Sequence, residues 1–216
     1  MRIIKSVNMR KATEEDDSLP AFDNSTLVAY NTCPTWGTIR YGLGLNIEYP
    51  EQALALSAGT LAHECYAAIR LLELSNQGNE KHAYHKGIEL FGEEAYHKIF
   101  TVDCSEDDTH AIAKQVVSKV IALSDYEDSP DDTTRTKNNI ESSMYNYIDN
   151  CQFNKHKIWI EHAGDYSGGV GIETPFDIVL DFTFVDYIGN VVDGIPVSEG
   201  TLSIRFIGRI DALYLD

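Results

Sequence analysis

Four places in the chain carry residues able to do chemistry. The first is Gly59-Thr60-Leu61-Ala62-His63, inside a segment patterned as a helix. At about 100° per residue His63 lies about 200° around that helix from Leu61, off the apolar stripe. Gly59, one turn earlier, leaves room for a close approach. His63 is then either a packed or exposed helical residue or a ligand. The second place is Gly208-Arg209-Ile210-Asp211, in a strand-like run where Asp211 stands among Phe206, Ile207, Ile210 and Leu213. A carboxylate in apolar surroundings needs a partner, because an unpaired buried charge is costly. Alternation along a strand puts Arg209, Asp211 and Leu213 on one face, so Arg209 is one candidate partner and a metal ion is the other. The third is Ile172-Glu173-Thr174-Pro175-Phe176. Taken alone, Glu173 is an exposed strand-end carboxylate, but a hairpin would bring it near Asp211. The fourth is the segment from Ser25 to Pro34, with Leu27, Tyr30 and Cys33 at regular intervals.

Composition limits what these residues can serve. The 216 residues include 17 Lys+Arg and 34 Asp+Glu, a formal net charge of −17. Phosphate contacts need Lys and Arg, so the balance argues against coating nucleic acid by bulk electrostatics. A local site lined by metal ions and a few basic residues stays open. A hydrophobic content of 43% excludes wholesale disorder, and the length suits one large domain or two small ones. No apolar run approaches the roughly 20 residues of a membrane-spanning helix. The N-terminus has no long apolar stretch of the secretory kind, so a cytoplasmic protein is expected. The four cysteines, Cys33, Cys65, Cys104 and Cys151, contain no short ligand pair. They read as ordinary buried or semi-buried thiols rather than a zinc site.

The elements that must position these residues can be read from periodicity. Arg2 to Val7 is strand-like, and Thr13 to Ser18 reads as a solvated acidic loop. Asp23, Asn24 or Ser25 can cap a helix, and Pro34 ends that helix or starts the next. Leu54, Ala58, Leu61, Cys65, Ala68 and Leu72 repeat at helical spacing, predicting a long helix over 51–75. Further helices are expected over 80–100, 108–125 and 136–150. Between Thr101 and Asp132 there are nine acidic residues and two Lys, which reads as a solvated helical face with acidic loops. From about residue 155 the pattern becomes strand-like. Phe176, Ile178, Leu180, Phe182 and Phe184 alternate, as do Leu202, Ile204, Phe206, Gly208 and Ile210. The expected chain is α+β or α/β: an N-terminal strand and acidic loop over 1–22, a helical region over 23–150 and an antiparallel β-meander over 155–216.

Taken in order, the four places resemble the RecB/AddB-like branch of the PD-(D/E)XK nuclease superfamily. The family pattern Ser-x-Leu-x-x-Tyr-x-x-Cys-Pro is matched by Ser25, Leu27, Tyr30, Cys33 and Pro34. Gly-x-x-x-His is matched by Gly59 and His63, Glu-x-x-Phe by Glu173 and Phe176, and Gly-x-Ile-Asp by Gly208, Ile210 and Asp211. The resemblance implies a single nuclease-like domain over 1–216, with the helical region packed on a restriction-endonuclease-like mixed sheet. It implies DNA as substrate and hydrolysis dependent on Mg²⁺ or Mn²⁺, in recombination, repair or phage DNA metabolism, inside a bacterium or phage-infected host. Asp211 and Glu173 would be catalytic carboxylates, Asp211 and His63 metal ligands, Arg209 and Arg40 phosphate contacts. Cys33 matches the first ligand of an iron–sulfur cluster found in some members. The family's next motif, Glu-x-Lys, has no counterpart in this sequence. The resemblance therefore implies a C-terminally incomplete domain, a site completed by a second polypeptide or C-terminal segment, or a degenerate nuclease. A non-catalytic binding or scaffold module is the alternative, and an acidic mimic of DNA is a third reading.

Overall fold

The computed structural model describes residues 2–43, 50–102, 108–150, 153–161, 169–188 and 195–215. Seven α-helices and a mixed four-stranded sheet among them make the chain α+β. It divides into two compact units, Met1–Ile47 with Pro175–Arg209, and Glu48–Thr174 with Ile210–Asp216. The first residues of β4 (Ile172–Ile188) and the last of β5 (Ile195–Ala212) belong to the second unit.

The first unit is built on a sheet of order β1-β4-β5-β2, with β1 over Arg2–Lys11 and β2 over Ala21–Phe22. β1 runs antiparallel to β4 from Arg2↔Asp186 to Lys11↔Ile178, with a bulge between Ile4 and Ser6. β2 is parallel to β5, so the expected antiparallel meander is in fact part of a mixed sheet that recruits the N-terminus. Two arginines cross-link its polar face. Arg10 donates to both oxygens of Asp16 (2.6 and 2.7 Å) and to Asp181 (3.1 Å). Arg205 donates to Asp177 at 2.8 and 2.6 Å and to Asp17 at 2.7 Å. The stretch expected to be a solvated loop is instead a 3₁₀ turn, Glu14–Ser18, with Asp16 buried. Local charge density hid that outcome, because the partner, Arg10, lies in the preceding strand. Hydrogen bonds from Arg10 and from Thr13 hold the Asp16 carboxyl well below the usual carboxylate range. After β2, Asp23 caps α1 (Asn24–Thr32) by accepting from the Thr26 N–H at 2.7 Å. Pro34 opens α2 (Pro34–Gly37), which runs into a π-helical turn, Thr38–Gly42.

The second unit is organised around α3, Pro50–Asn76. Of the stripe read from the sequence, Ala58, Leu61, Cys65 and Ala68 are buried. They pack with Ile99, Val116, Val117, Val120, Met144 and Ile148. The other flank of α3, Ala67, Leu71 and Leu74, packs on Ala83, Ile158, Ile160 and Ile172. Each fully buried aliphatic side chain stabilises the fold by about 1.5–3 kcal/mol. The helix expected over 80–100 is two, α4 (Glu80–Phe91) and α5 (Glu93–Phe100), parted at Gly92 with φ +77°. That left-handed conformation suits glycine and breaks helical continuity. α6 (Thr109–Leu123) has a solvated side, with Gln115 and Ala122 exposed, and also a buried one that the charge-based reading missed: Ala113, Val116, Val117 and Val120 are core residues. All nine acidic residues counted between Thr101 and Asp132 lie in sequence before or after this helix, as expected of flanking acidic loops. α7 (Lys137–Asn150) completes the helices, and β3 (Lys157–Ile158) pairs antiparallel with β6 (Tyr214–Leu215). Cys65 is buried, in line with the expected buried or semi-buried thiols, whereas Cys33 is exposed; burial pushes the Cys65 thiol up to about 12. Cys104 and Cys151 lie outside the described residues. Among the described residues no helix is long and apolar enough to cross a membrane.

Candidate metal centre

Residues 63, 173 and 211 meet in the second unit. One ligand atom each from His63, Glu173 and Asp211 lies within 4.8 Å of the others. His63 Nδ1 is 3.4 Å from Asp211 Oδ1 and 3.8 Å from Glu173 Oε1.

Each side chain is placed by a different element. His63 projects from α3 away from the stripe that holds the helix to its core, and 55% of its side chain is exposed. A Cβ at Gly59 would meet nothing within 4 Å among the described residues, so the room expected beside that glycine is open. Glu173 is the second residue of β4, its side chain 12% exposed beside the fully buried Ile172. Asp211 is near the end of β5 and 65% exposed.

The two strands are held in register by a ring of backbone hydrogen bonds. The Leu213 N–H donates to Gly171 O, the Gly171 N–H to Trp159 O and the Trp159 N–H to Leu213 O, at 2.8, 2.8 and 3.0 Å. Glu173 is two residues past Gly171 and Asp211 two residues before Leu213, so antiparallel pairing sets the two carboxylates opposite each other. Gly171 is what permits the approach, because a Cβ there would lie 2.7 Å from Leu213 O.

Two features of this arrangement are unfavourable in isolation. Like charges directly opposite on paired strands repel. Glu173 also has φ +46°, a left-handed conformation that costs a non-glycine residue on the order of 1–3 kcal/mol and tends to occur at functional sites. A cation among the three side chains relieves the repulsion and gives the strained backbone a use. The donor set fits one: two carboxylates are hard oxygen ligands for Mg²⁺ or Mn²⁺, and the imidazole nitrogen favours Mn²⁺. With metal–ligand bonds of about 2.1 Å, ligand atoms lie roughly 3 Å apart when adjacent and about 4 Å when opposite. Separations of 3.4 and 3.8 Å fall in that interval.

Behind the cluster is a second device that sequence reasoning missed. Arg70, two turns after His63 on α3, donates to Glu73 Oε2 at 2.6 Å and to the Tyr147 hydroxyl. Its guanidinium lies 5.2 Å from the centroids of the Tyr147 and Tyr214 rings. Glu73, 1% exposed, also accepts from the Asn154 N–H at 2.8 Å. Burial pushes the Tyr214 phenol up to about 12. Tyr214 is three residues beyond Asp211, so the stack fastens the strand that carries Asp211 to the helix that carries His63. The one signal in the sequence was a Glu, Glu73, between Leu72 and Leu74 on a helix, where a charge on the apolar side demands a partner.

A cleft of about 470 Å³ lies along the same helix, walled by Thr60, Leu61 and Glu64 and by Ser124, Asp125 and Tyr126. Desolvation, and then the neighbouring Asp125 charge, hold the Glu64 carboxyl above the usual carboxylate range. The other expected site residues belong to the first unit. Arg40 lies over the Tyr41 ring at 5.3 Å, and Arg209 is exposed. Asp211 Oδ1 faces His63 Nδ1 at 3.4 Å. Cys33 sits at the α1–α2 junction.

No family model, curated protein or solved structure matches the chain.

Proposed function

We propose that the chain is a nuclease-like domain that binds Mg²⁺ or Mn²⁺ at His63, Glu173 and Asp211 and hydrolyses phosphodiester bonds of DNA, as an exonuclease of recombination, repair or phage DNA metabolism. The observation that carries this reading is the convergence of three side chains from sequence positions 63, 173 and 211 on one small volume. These are the residues that the ordered motifs single out. When bound, such an ion polarises a phosphate and lowers the pKa of a water beside it. The chain's own residues supply the rest. Asp211 and Glu173 present paired carboxylates across two strands, His63 closes the third side from α3, and the Arg70 stack keeps helix and strand in place. On this reading the mixed sheet belongs to a restriction-endonuclease-like core.

The test is cleavage of end-labelled single- and double-stranded DNA by the purified chain with Mn²⁺, Mg²⁺ or EDTA. The reading expects metal-dependent products that disappear in Asp211→Ala. Activity that survives Asp211→Ala, or the absence of products with either metal, refutes it.

The absence of Glu-x-Lys from the sequence favours a second reading, a non-catalytic nuclease-like module that binds or scaffolds. That module would gain no stability from metal. A melting temperature raised by Mn²⁺ in the wild type and not in His63→Ala argues against it.

A further inference from the structure

The second unit carries an open aromatic cleft that the cation cluster does not use. Where α4 meets α5, Ser75, Glu80, Lys81, Tyr84, His85 and Tyr96 line a hollow of about 380 Å³. Tyr84 is at its centre. It meets His85 at 5.7 Å and 74°, Tyr96 at 5.3 Å and 89°, and His97 at 6.1 Å and 54°, all edge-on or tilted. Tyr96 in turn stacks on Phe100 at 4.6 Å and 29°, so its ring is backed from the interior. The cluster depends on a glycine: a Cβ on Gly87 would lie 2.3 Å from the Tyr96 ring. Only an unsubstituted α4 lets Tyr96 lie against it beside Tyr84. His85 and His97 are exposed, and Tyr84 and Tyr96 are half-buried. Three rings and a lysine thus line a hollow open to solvent.

The charge of this segment also differs from that of the chain. From residue 80 to residue 98 there are four Glu and three Lys, and three of the seven histidines. A segment near neutrality within a chain of net charge −17 repels a phosphate-bearing ligand less than the acidic segments do.

We infer that this cleft binds a nucleobase of a nucleotide, stacked on Tyr84 with His85 at the edge of the base, and with Lys81 as the cationic contact at its rim. Stacking on aromatic side chains tolerates any base, because every base has a π-face. Histidine and tyrosine edges add hydrogen-bonding groups around a flat ligand. One lysine suffices for one phosphate, which suits a site that gains its affinity from stacking rather than from a basic groove. The site stands apart from the cation cluster and does not depend on it.

The experiment is fluorescence anisotropy of a fluorescein-labelled twelve-residue oligothymidylate with the full chain, in EDTA and at low salt. Binding is expected to weaken by about tenfold in Tyr84→Leu, the loss of one stacked base, and to be retained in Tyr84→Phe and in Asp211→Ala. Competition by thymidine monophosphate at concentrations equal to those of the oligomer's nucleotides identifies a mononucleotide site. Competition only by the oligomer identifies a strand-binding site. In NMR spectra the His85 and His97 imidazole signals are expected to shift on adding either ligand. Absent binding by the wild type, equal affinity of Tyr84→Leu and wild type, or unmoved His85 and His97 signals overturns the inference. Because EDTA is present throughout, none of these outcomes bears on the cation site.

Discussion

Arg70→Ala tests the packing that holds the candidate site together. In the wild type the guanidinium is the charged partner of Glu73, which is 1% exposed, and it stacks between Tyr147 and Tyr214. Removing it leaves a carboxylate in the interior with, among the described residues, the Asn154 N–H to satisfy it. Breaking a buried pair in this way costs about 3–5 kcal/mol. For a chain of this length each kcal/mol moves the melting temperature by about 2–4 °C, so a fall on the order of 10 °C is expected. Arg70→Lys keeps the charge but loses the fork and much of the stacking, and is expected to cost about 1–2 kcal/mol. The double variant Arg70→Met/Glu73→Leu removes both charges together and is expected to recover most of the loss, because a buried pair and a well-packed apolar pair are often of similar stability. The assay is urea denaturation followed by circular dichroism on all four proteins, with Mn²⁺ titration of Arg70→Lys alongside. Arg70→Lys should bind Mn²⁺ several-fold more weakly, since Tyr214 fastens the strand of Asp211. An Arg70→Ala variant within 1 kcal/mol of wild type, or a double variant no better than Arg70→Ala, refutes this account of the network.

Three further outcomes follow from the same geometry. Gly171→Ala forces a Cβ to within 2.7 Å of Leu213 O and should destabilise the chain by about 1–3 kcal/mol, measured by the same denaturation. Glu173→Gly removes both the left-handed strain and one of two facing carboxylates; without metal it should be more stable than wild type by about 1 kcal/mol, and it should gain nothing from Mn²⁺. The Asp16 carboxyl has a folded pKa held below its ordinary 3.8, so it contributes stability above that pH and loses it as the pH falls further. The melting temperature should therefore drop steeply on acidification below about pH 4, and Asp16→Asn should flatten that part of the curve.

How much of this was legible in the sequence depended on the distance between cause and effect. The α3 stripe was plain, because Ala58, Leu61, Cys65 and Ala68 carry their own period and that period is the burial pattern. Asp23 capping and the role of Pro34 were local for the same reason. The ordered motifs named His63, Glu173 and Asp211, which the fold then brings within 4.8 Å. What was not legible joined distant segments. Asp16 is paired with Arg10, which also donates to the distant Asp181, and β2 is parallel to a strand nearly two hundred residues away. The buried face of α6 was masked by acids that all lie outside its ends. Gly171 was one glycine among several until Leu213 gave it a neighbour. The Arg70 stack draws on residues 70, 73, 147 and 214, and no periodicity relates them.

The central claim is that His63, Glu173 and Asp211 hold a divalent cation, and calorimetric titration of the metal-free chain with Mn²⁺ tests it most directly. The account predicts one equivalent bound by the wild type, and loss of that binding in both His63→Ala and Asp211→Ala while their circular dichroism spectra stay unchanged. A wild type that takes up no Mn²⁺, or variants that bind it as the wild type does, would contradict it.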